Sequence, residues 1–468
     1  MNKRSTVKQV VLASQREDVE IYLVGGAVRD LFLGKSSKDL DFLCLDQGEK
    51  IARRVCGILG EGASLSIHKN FGTAQIAFRD QILEFVDARK ESYSPDSRKP
   101  VVEKGTLLED QSRRDFTCNT MAISLNSHNY AQLIDPFNGL GDIQEKLLKT
   151  PRSPSATFSD DPLRMMRAIR FACQLDFQID PPTLAGIREQ VHRIRIVSQE
   201  RITEELNRIM ASQTPSQGFK LLDSTGLLSI ILPEISALHG QEWRGKHTHK
   251  NNFYHTLQVL DNASAMSDNL WLRWAALLHD VAKPQTKRYD KRVGWTFHGH
   301  EDMGARMVPS IFKRFRLPRQ EGKYVAKLVR FHLRPIALAK EDITHSAIRR
   351  LLFELGDDIK DLMKLCRADI TSENSRRVER YLDNFDRVER RMAEVEEQDR
   401  LQNFQPPITG DVIMEALRLP PSREVGRIKD AIREAILAGT ISNTEEEAYA
   451  LMLQLGGKKQ EFKPKIKK

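Results

Sequence analysis

Leu23-Val24-Gly25-Gly26-Ala27-Val28-Arg29-Asp30, followed by Lys38-Asp39-Leu40-Asp41-Phe42, decides how the start of this chain reads. Ile21 to Val24 is a short apolar run that predicts a strand ending at the glycine pair, and Ala27 to Leu33 predicts a helix. Leu40 to Leu45 predicts a second strand. Side chains on a strand alternate faces, so Asp39 and Asp41 share one face while Leu40 and Phe42 enter the core. Two carboxylates so placed can hold Mg²⁺, which takes oxygen ligands and partners substrate phosphates. A lone Asp-x-Asp is ordinarily two solvated side chains on an edge strand. The glycines in front of it change the reading. Gly25 and Gly26 let backbone N–H groups approach a triphosphate, the following helix offers its positive end, and Arg29 stands one turn in, within reach of a phosphate.

Working outward, Asn70 to Phe78 and Ile82 to Val86 flank the polar turn Arg79-Asp80-Gln81, as a hairpin would. Residues 90–112 are polar, carry Pro95 and Pro100, and are expected to be a mobile loop. From about Asp161 onward the apolar periods are helical, punctuated by Pro181-Pro182, Pro233 and Pro406-Pro407, and Ile408 to Gly439 is again helical. The Lys-rich end, Lys458 to Lys468, reads as a disordered tail. A 468-residue chain implies roughly three domains at about 150 residues each.

No stretch approaches the roughly 18 apolar residues of a membrane span and no apolar segment typical of a secretory signal follows Met1, so neither a secretory signal nor a membrane partner is expected. Five dispersed cysteines without a Cys-x-x-Cys pair suit reduced thiols in the cytoplasm. The net charge of +9, from 73 basic and 64 acidic residues, fits a polyanionic partner as well as it fits a merely soluble surface.

Asp161, Arg164, Arg167 and Arg170 recur every third residue, so successive members stay close on a helix. Pro162 suits the first turn and Asp160 or Asp161 the N-cap, while Leu163, Met166, Ile169 and Ala172 supply an apolar stripe. A carboxylate can accept from an exocyclic amine of a base, and a guanidinium can donate to a ring nitrogen or carbonyl. Wrong bases would then leave buried groups unpaired, which discriminates strongly.

These stretches resemble the opening motifs of class II tRNA nucleotidyltransferases and bacterial poly(A) polymerases, within the polymerase-β-like superfamily. The resemblance covers about residues 20–210 and implies an α+β fold, a small mixed-sheet head followed by a long all-α neck, body and tail. It implies a third carboxylate at Glu84, with Asp87 as the fallback. Arg113-Arg114-Asp115 is similar to the family's second motif, which implies ribose and triphosphate contacts from Arg114 and Asp115. Asp161 and Arg164 match the pair that reads the Watson–Crick edge of the incoming base, with Asp160 replacing the family's glutamate. Arg167 and Arg170 are expected to support phosphate or the reading pair. Asp135 to Ile143 resembles the turn from head to neck, and Ser198 to Leu206 the capped neck helix, whose Ser198 and Arg201 are expected to be structural.

Further along, His255, His279-Asp280, His300, His332 and Asp369 resemble the ligand order of HD-domain phosphohydrolases, with His298 competing for the place of His300. Such a set suits a divalent transition metal or a binuclear site that activates water against phosphate esters. Head followed by HD domain resembles a subset of bacterial CCA-adding enzymes. The implied organisation is a head at 1–150, neck at 151–240, HD domain at 241–375 and helical tail at 376–468. The implied activity is CCA addition to tRNA from CTP and ATP with Mg²⁺. A poly(A) polymerase is the nearest alternative, although the HD body argues against it. A CC- or A-adding enzyme is another, although the full-length segment 90–112, with Arg98, argues against a CC-only one. A phosphohydrolase with a degenerate head and a non-catalytic RNA-binding protein are the remaining readings.

Overall fold

The computed structural model describes residues 3–37, 39–68, 72–94, 97–240, 243–244, 247–248, 251–338, 345–372, 374–399 and 406–457. The Lys-rich end and the side chain of Arg98 lie outside the described residues. Two compact units result, one comprising Met1–Gln241 with Phe312–Leu317, the other Glu242–Ile311 with Pro318–Lys468.

The first unit opens with α1 (Lys3–Glu17), β1 (Ile21–Val24), α2 (Gly26–Phe32), β2 (Asp39–Cys44) and α3 (Gly48–Leu59). It continues with β3 (Ala63–His68), β4 (Thr73–Phe78), β5 (Gln81–Asp87), β6 (Arg89–Ser94) and β7 (Ser97–Lys104). After α4 (Leu107–Ser112) come β8 (Ala122–Ser124) and β9 (Leu133–Ile134). Seven of these strands form one sheet in the order β3-β4-β5-β2-β1-β8-β9. Only β2 and β5 pair in parallel, so the sheet is mixed, as the sequence led us to expect.

One face of the sheet carries the core. Leu40, Phe42, Ile76, Leu83 and Phe85 pack there against Val10 and Ala13 of α1 and Ile51 and Val55 of α3. Phe42 and Phe85 stack at 5.1 Å between ring centroids. The alternation that buries Leu40 and Phe42 turns Asp39 and Asp41 to the opposite face. In the parallel register Asp41 lies directly across from Glu84.

The segment expected to be a mobile loop is a β-ribbon instead, formed by β6 and β7 with a register irregularity between Ser92 and Ser94. A two-stranded ribbon outside the main sheet needs no apolar face, so no hydrophobic alternation announced it. Pro100 lies next to the irregularity rather than in a regular ladder, where proline is tolerated.

Beyond the sheet the first unit is helical: α5 (Gly139–Gln144), α6 (Pro154–Asp160), α7 (Leu163–Leu175), α8 (Pro181–Gln190) and α9 (Gln199–Met210). Asp135 accepts from the backbone of Gly139 and Leu140 at 2.8 and 2.9 Å, fixing the turn into α5. The second unit is built from helices, among them Asn252–Met266, Leu270–Leu278, His300–Arg314, Arg319–Phe331 and Ile359–Ala368. Among the described residues no helix is long and apolar enough to cross a membrane.

Because Phe42 is fully buried in a central strand, Phe42→Ala should destabilise the first unit by about 3–5 kcal/mol. The exposed Ile82→Ala on the neighbouring strand should stay within roughly 0.5 kcal/mol of wild type. Denaturant unfolding followed by circular dichroism checks the contrast.

Candidate active site

In the first unit a cleft of about 1450 Å³ opens on the polar face of the sheet, lined by Asp39, Asp41 and Glu84 on one side and Arg164, Arg167 and Arg201 on another. Gly25 lies beneath it with φ 71° and ψ −140°, a conformation open almost only to glycine. A Cβ there would sit 3.0 Å from Asp41 Oδ2 and 3.2 Å from Arg114 Nη1. The glycine therefore lets a carboxylate and a guanidinium converge at the head of α2. Burial raises the Asp41 carboxyl to about 6, and the charge of Glu84 adds to this while Arg114 opposes it. Closely set carboxylates with incomplete counter-charge are a donor set suited to a hard cation. The head carboxylates remain looser than a closed ligand cage. Among the described residues, the only groups of three metal-type donors within 4.8 Å of one another lie in the second unit.

Asp87, the fallback for Glu84, accepts from the Gly48 backbone N–H at 2.7 Å and so caps α3. Arg114 is aimed by the buried Asp110, which accepts from its Nε at 3.0 Å and also holds Arg113. Asp115 is buried and accepts from Phe116 N, Asn119 Nδ2 and Arg167 Nη2 at 2.9, 3.0 and 2.6 Å. Burial would raise this carboxyl, but the Arg167 charge and the hydrogen bonds hold it well below the usual range. Arg29 donates to Asn119 at 2.8 Å and to Asp30 at 2.7 Å, so its guanidinium is held by neighbours rather than left open to a phosphate.

Pro162, rather than Asp160 or Asp161, is the N-cap of α7; Asp161 is the C-cap of α6 just before it, accepting from Leu163 N at 3.2 Å while its other oxygen faces Arg201 at 3.9 Å. Asp160 instead pairs with Arg152. Arg164 donates one Nη2 bond to the Arg113 carbonyl at 2.7 Å, and its buried Nη1 has no partner. Arg170, expected to support phosphate or the reading pair, borders the cleft but is buried, donates to Glu205 at 2.6 Å and lies 4.0 Å over the Phe171 ring, so it braces α7 against α9. Arg201, expected to be structural, borders the cleft. Sequence reading missed Asp110, Asn119, Glu205 and Phe171. The i, i+4 relations of Asp110 to Arg114 and of Asp115 to Asn119 were the local hints.

In the second unit all six expected residues converge. His255 Nε2 lies 2.9 Å from Asp369 Oδ1, His279 Nε2 3.1 Å from Asp280 Oδ2, and His300 Nε2 3.2 Å from Asp280 Oδ1. His332 joins Asp280 and His300 in one donor group, and His255, His279 and Asp369 form the other. His298 is exposed, which leaves its place to the buried His300. His279, His332 and Asp369 are each the C-cap of a helix. The unpaired carbonyls of a helix end are a natural acceptor for an imidazole N–H. His279 and His332 place Nδ1 on the carbonyls of Ala276 and Val329 at 2.8 and 2.7 Å, and His300 on Phe297 at 2.7 Å. Each bond turns Nε2 inward, the arrangement that orients metal-ligating histidines. His279 Nε2, His300 Nε2 and Asp280 Oδ1 are buried without a hydrogen-bond partner, so the residues fit a metal.

Residues 21–149 match the poly A polymerase head domain, 176–238 the probable RNA- and SrmB-binding site of polymerase A, and 252–389 the HD domain. The A-adding tRNA nucleotidyltransferase of Deinococcus radiodurans is 30% identical over 92% of this chain and 94% of its own. The chain belongs to the tRNA nucleotidyltransferase family. The CC-adding member from Thermus thermophilus is 31% identical over 94% of each chain, and the multifunctional CCA protein of Nitrosococcus oceani 32% over 67% and 74%. In fold, this tRNA nucleotidyltransferase family member is similar to a CCA-adding enzyme in its apo form, at TM-score 0.64 and 19% identity over 97% and 95% of the two chains. It is also similar to the Thermotoga maritima CCA-adding enzyme complexed with tRNA, at TM-score 0.61 and 17% identity over 97% and 96%. Its nucleotidyltransferase and HD domains imply dependence on divalent metal.

Asp115 gives a pH signature. A carboxyl depressed on folding contributes stability above its unfolded value, and that contribution is lost as pH falls through the folded value. The advantage of wild type over Asp115→Asn should be full at pH 7 and shrink below about pH 3.9. Denaturant midpoints of both proteins across that range provide the check.

Proposed function

We propose that the first unit adds nucleotides to the 3′ end of tRNA, building CCA from CTP and ATP. The observation that carries this reading is the facing of Asp39, Asp41 and Glu84 across one cleft from Asp161, at the entry to α7, and Arg164 in its first turn. Asp39 and Asp41, with Glu84, would hold Mg²⁺, which when bound favours ionisation of the tRNA 3′-hydroxyl and neutralises the leaving pyrophosphate. The hydroxyl oxygen bonds to the α-phosphorus of the nucleotide as the bond to the β-phosphate oxygen breaks. Arg114, held by Asp110, grips the triphosphate as a planar two-bond donor. Arg164 offers its unpartnered Nη1 to the base edge, and Asp161 accepts from the exocyclic amine common to C and A. Asp115 acts through Arg167 as a positioning residue, and so does Glu205 through Arg170. Rate then comes from orientation and charge neutralisation, as in other phosphoryl-type transfers.

In this reading residues 1–150 are the catalytic head, 151–240 a nucleotide- and RNA-binding neck, 241–375 the HD domain and 376–468 a helical tail. A cytoplasmic place of action agrees with five cysteines that form no disulfide. The HD cluster is read as a divalent transition-metal site that hydrolyses phosphate esters at RNA ends, supported by its orphaned buried donor atoms. The A-adding and CC-adding relatives that span nearly the whole chain favour, as a second reading, one half of the CCA reaction.

Primer extension on tRNA lacking CCA, with Mg²⁺ and with CTP and ATP singly and together, separates these. The proposal predicts growth by three nucleotides that requires both substrates and disappears in Asp41→Ala, but persists in His279→Ala. Addition of only CC, or of A onto CC-ended tRNA alone, would establish a half-reaction. A long ladder from ATP alone would contradict both readings.

A further inference from the structure

Between the helix that leads into His279-Asp280 and the one that begins at His300, the chain turns back as a short hairpin, with Arg288–Asp290 paired to Gly294–Thr296. Both ends of this hairpin are tied to the histidine–aspartate cluster. On the near side Lys283 bonds the Asp280 carboxylate and lies 5.7 Å from the Phe297 ring. On the far side the Phe297 carbonyl holds His300 Nδ1 at 2.7 Å.

The hairpin is strongly basic. It carries Lys287, Arg288, Lys291 and Arg292 against the single carboxylate of Asp290. That carboxylate is engaged by the turn, accepting from the backbone of Arg292 and Val293 at 2.7 and 3.0 Å. Arg288, Lys291 and Arg292 are exposed and have no ion-pair or hydrogen-bond partner for their side chains among the described residues. Elsewhere on the same unit exposed guanidinium groups find carboxylates: Arg330 pairs with Asp302, Arg350 with Glu434 and Arg427 with Glu424, at 3.0, 2.8 and 2.7 Å. What sets the hairpin apart is that three unpaired cations are gathered on one short element whose ends are tied to the histidine–aspartate cluster.

Aromatic groups stiffen the same element. Tyr289 and Trp295 meet edge to face at 5.1 Å, and Lys287 Nζ stands 4.3 Å over the Trp295 ring. Fixed cations beside half-buried aromatic rings suit a chain of phosphates carrying stackable bases better than an isolated phosphate.

We propose that Arg288, Lys291 and Arg292 grip the sugar–phosphate backbone of an RNA end and present its terminal phosphate ester to the histidine–aspartate cluster. The preferred substrate of that cluster is then an oligonucleotide rather than a small phosphate ester. This rests on the phosphohydrolase reading of the cluster. In the step it serves, a water oxygen bonds to phosphorus, one phosphorus–oxygen ester bond breaks, and the released sugar oxygen takes a proton derived from the water.

The test uses the full chain with Mn²⁺, Co²⁺ and Ni²⁺ in turn and two probes: an RNA oligonucleotide ending in a 2′,3′-cyclic phosphate, and the corresponding cyclic mononucleotide. In Arg288→Ala/Lys291→Ala/Arg292→Ala, KM for the oligonucleotide should rise about tenfold or more and its salt dependence should flatten. Hydrolysis of the mononucleotide and nucleotide addition to tRNA should be unchanged, which also reports that the variant folds. Unchanged KM for the oligonucleotide, or an equal loss on both probes, would overturn the proposal. If wild type hydrolyses neither probe with any of the three metals, the phosphohydrolase reading itself fails and the proposal falls with it.

Discussion

Asp115 closing on Arg167 at 2.6 Å, inside the first unit, is the contact on which the rest of the cleft depends. A buried charge costs several kcal/mol unless it is paired and its remaining hydrogen-bonding positions are filled. Here they are filled from three directions: the Phe116 backbone, Asn119 and Arg167. Asn119 passes the constraint to Arg29 on α2, and Arg170 with Glu205 passes it from α7 to α9. Phe171 offers its ring to Arg29, Arg167 and Arg170 at 5.1, 5.3 and 4.0 Å. The glycine turn and α7, which bears Arg164 and follows Asp161, are thus joined by ion pairs and hydrogen bonds.

The two candidate centres use the ends of regular elements differently. In the head, strand alternation places carboxylates on a polar face that stays open, and a glycine removes the one Cβ that would obstruct it. In the second unit, helix C-termini supply the positions of His279, His332 and Asp369 and the carbonyls that orient the first two imidazoles. That cluster is buried and closely set, which suits a resident metal, whereas the open cleft suits a substrate that brings its own phosphates.

Legibility followed the same division. β1 was readable as a short apolar run stopped by a glycine pair, β2 and the β4–β5 pair because their alternation reports one buried face, and the start of α7 because Pro162 and Asp161 signal it. The β6–β7 ribbon gave no such signal, having no apolar face to bury, and β8 is only three residues long. Asp39, Asp41 and Arg164 were found where the motifs put them. Arg170 shared their spacing and borders the same cleft, but its guanidinium is engaged by Glu205, a partner 35 residues away that the spacing could not report. Asp110 and Asn119 pair with residues three or four positions away, a spacing too common to single them out, and Glu205 belongs to a tertiary pairing that no local pattern encodes. The six histidine and aspartate positions, spread from His255 to Asp369, could be joined only through their family order.

The most direct test of an ion-paired, prepositioned α7 is nucleotide discrimination in Asp115→Asn. Single-turnover addition to tRNA gives kcat/KM for CTP, ATP, UTP and GTP, and the ratio of correct to incorrect substrates is independent of how much protein is folded. The account predicts that this ratio falls by about tenfold or more, since misplacing a reading group by an ångström is costly. An unchanged ratio, with only the overall rate reduced, would contradict it.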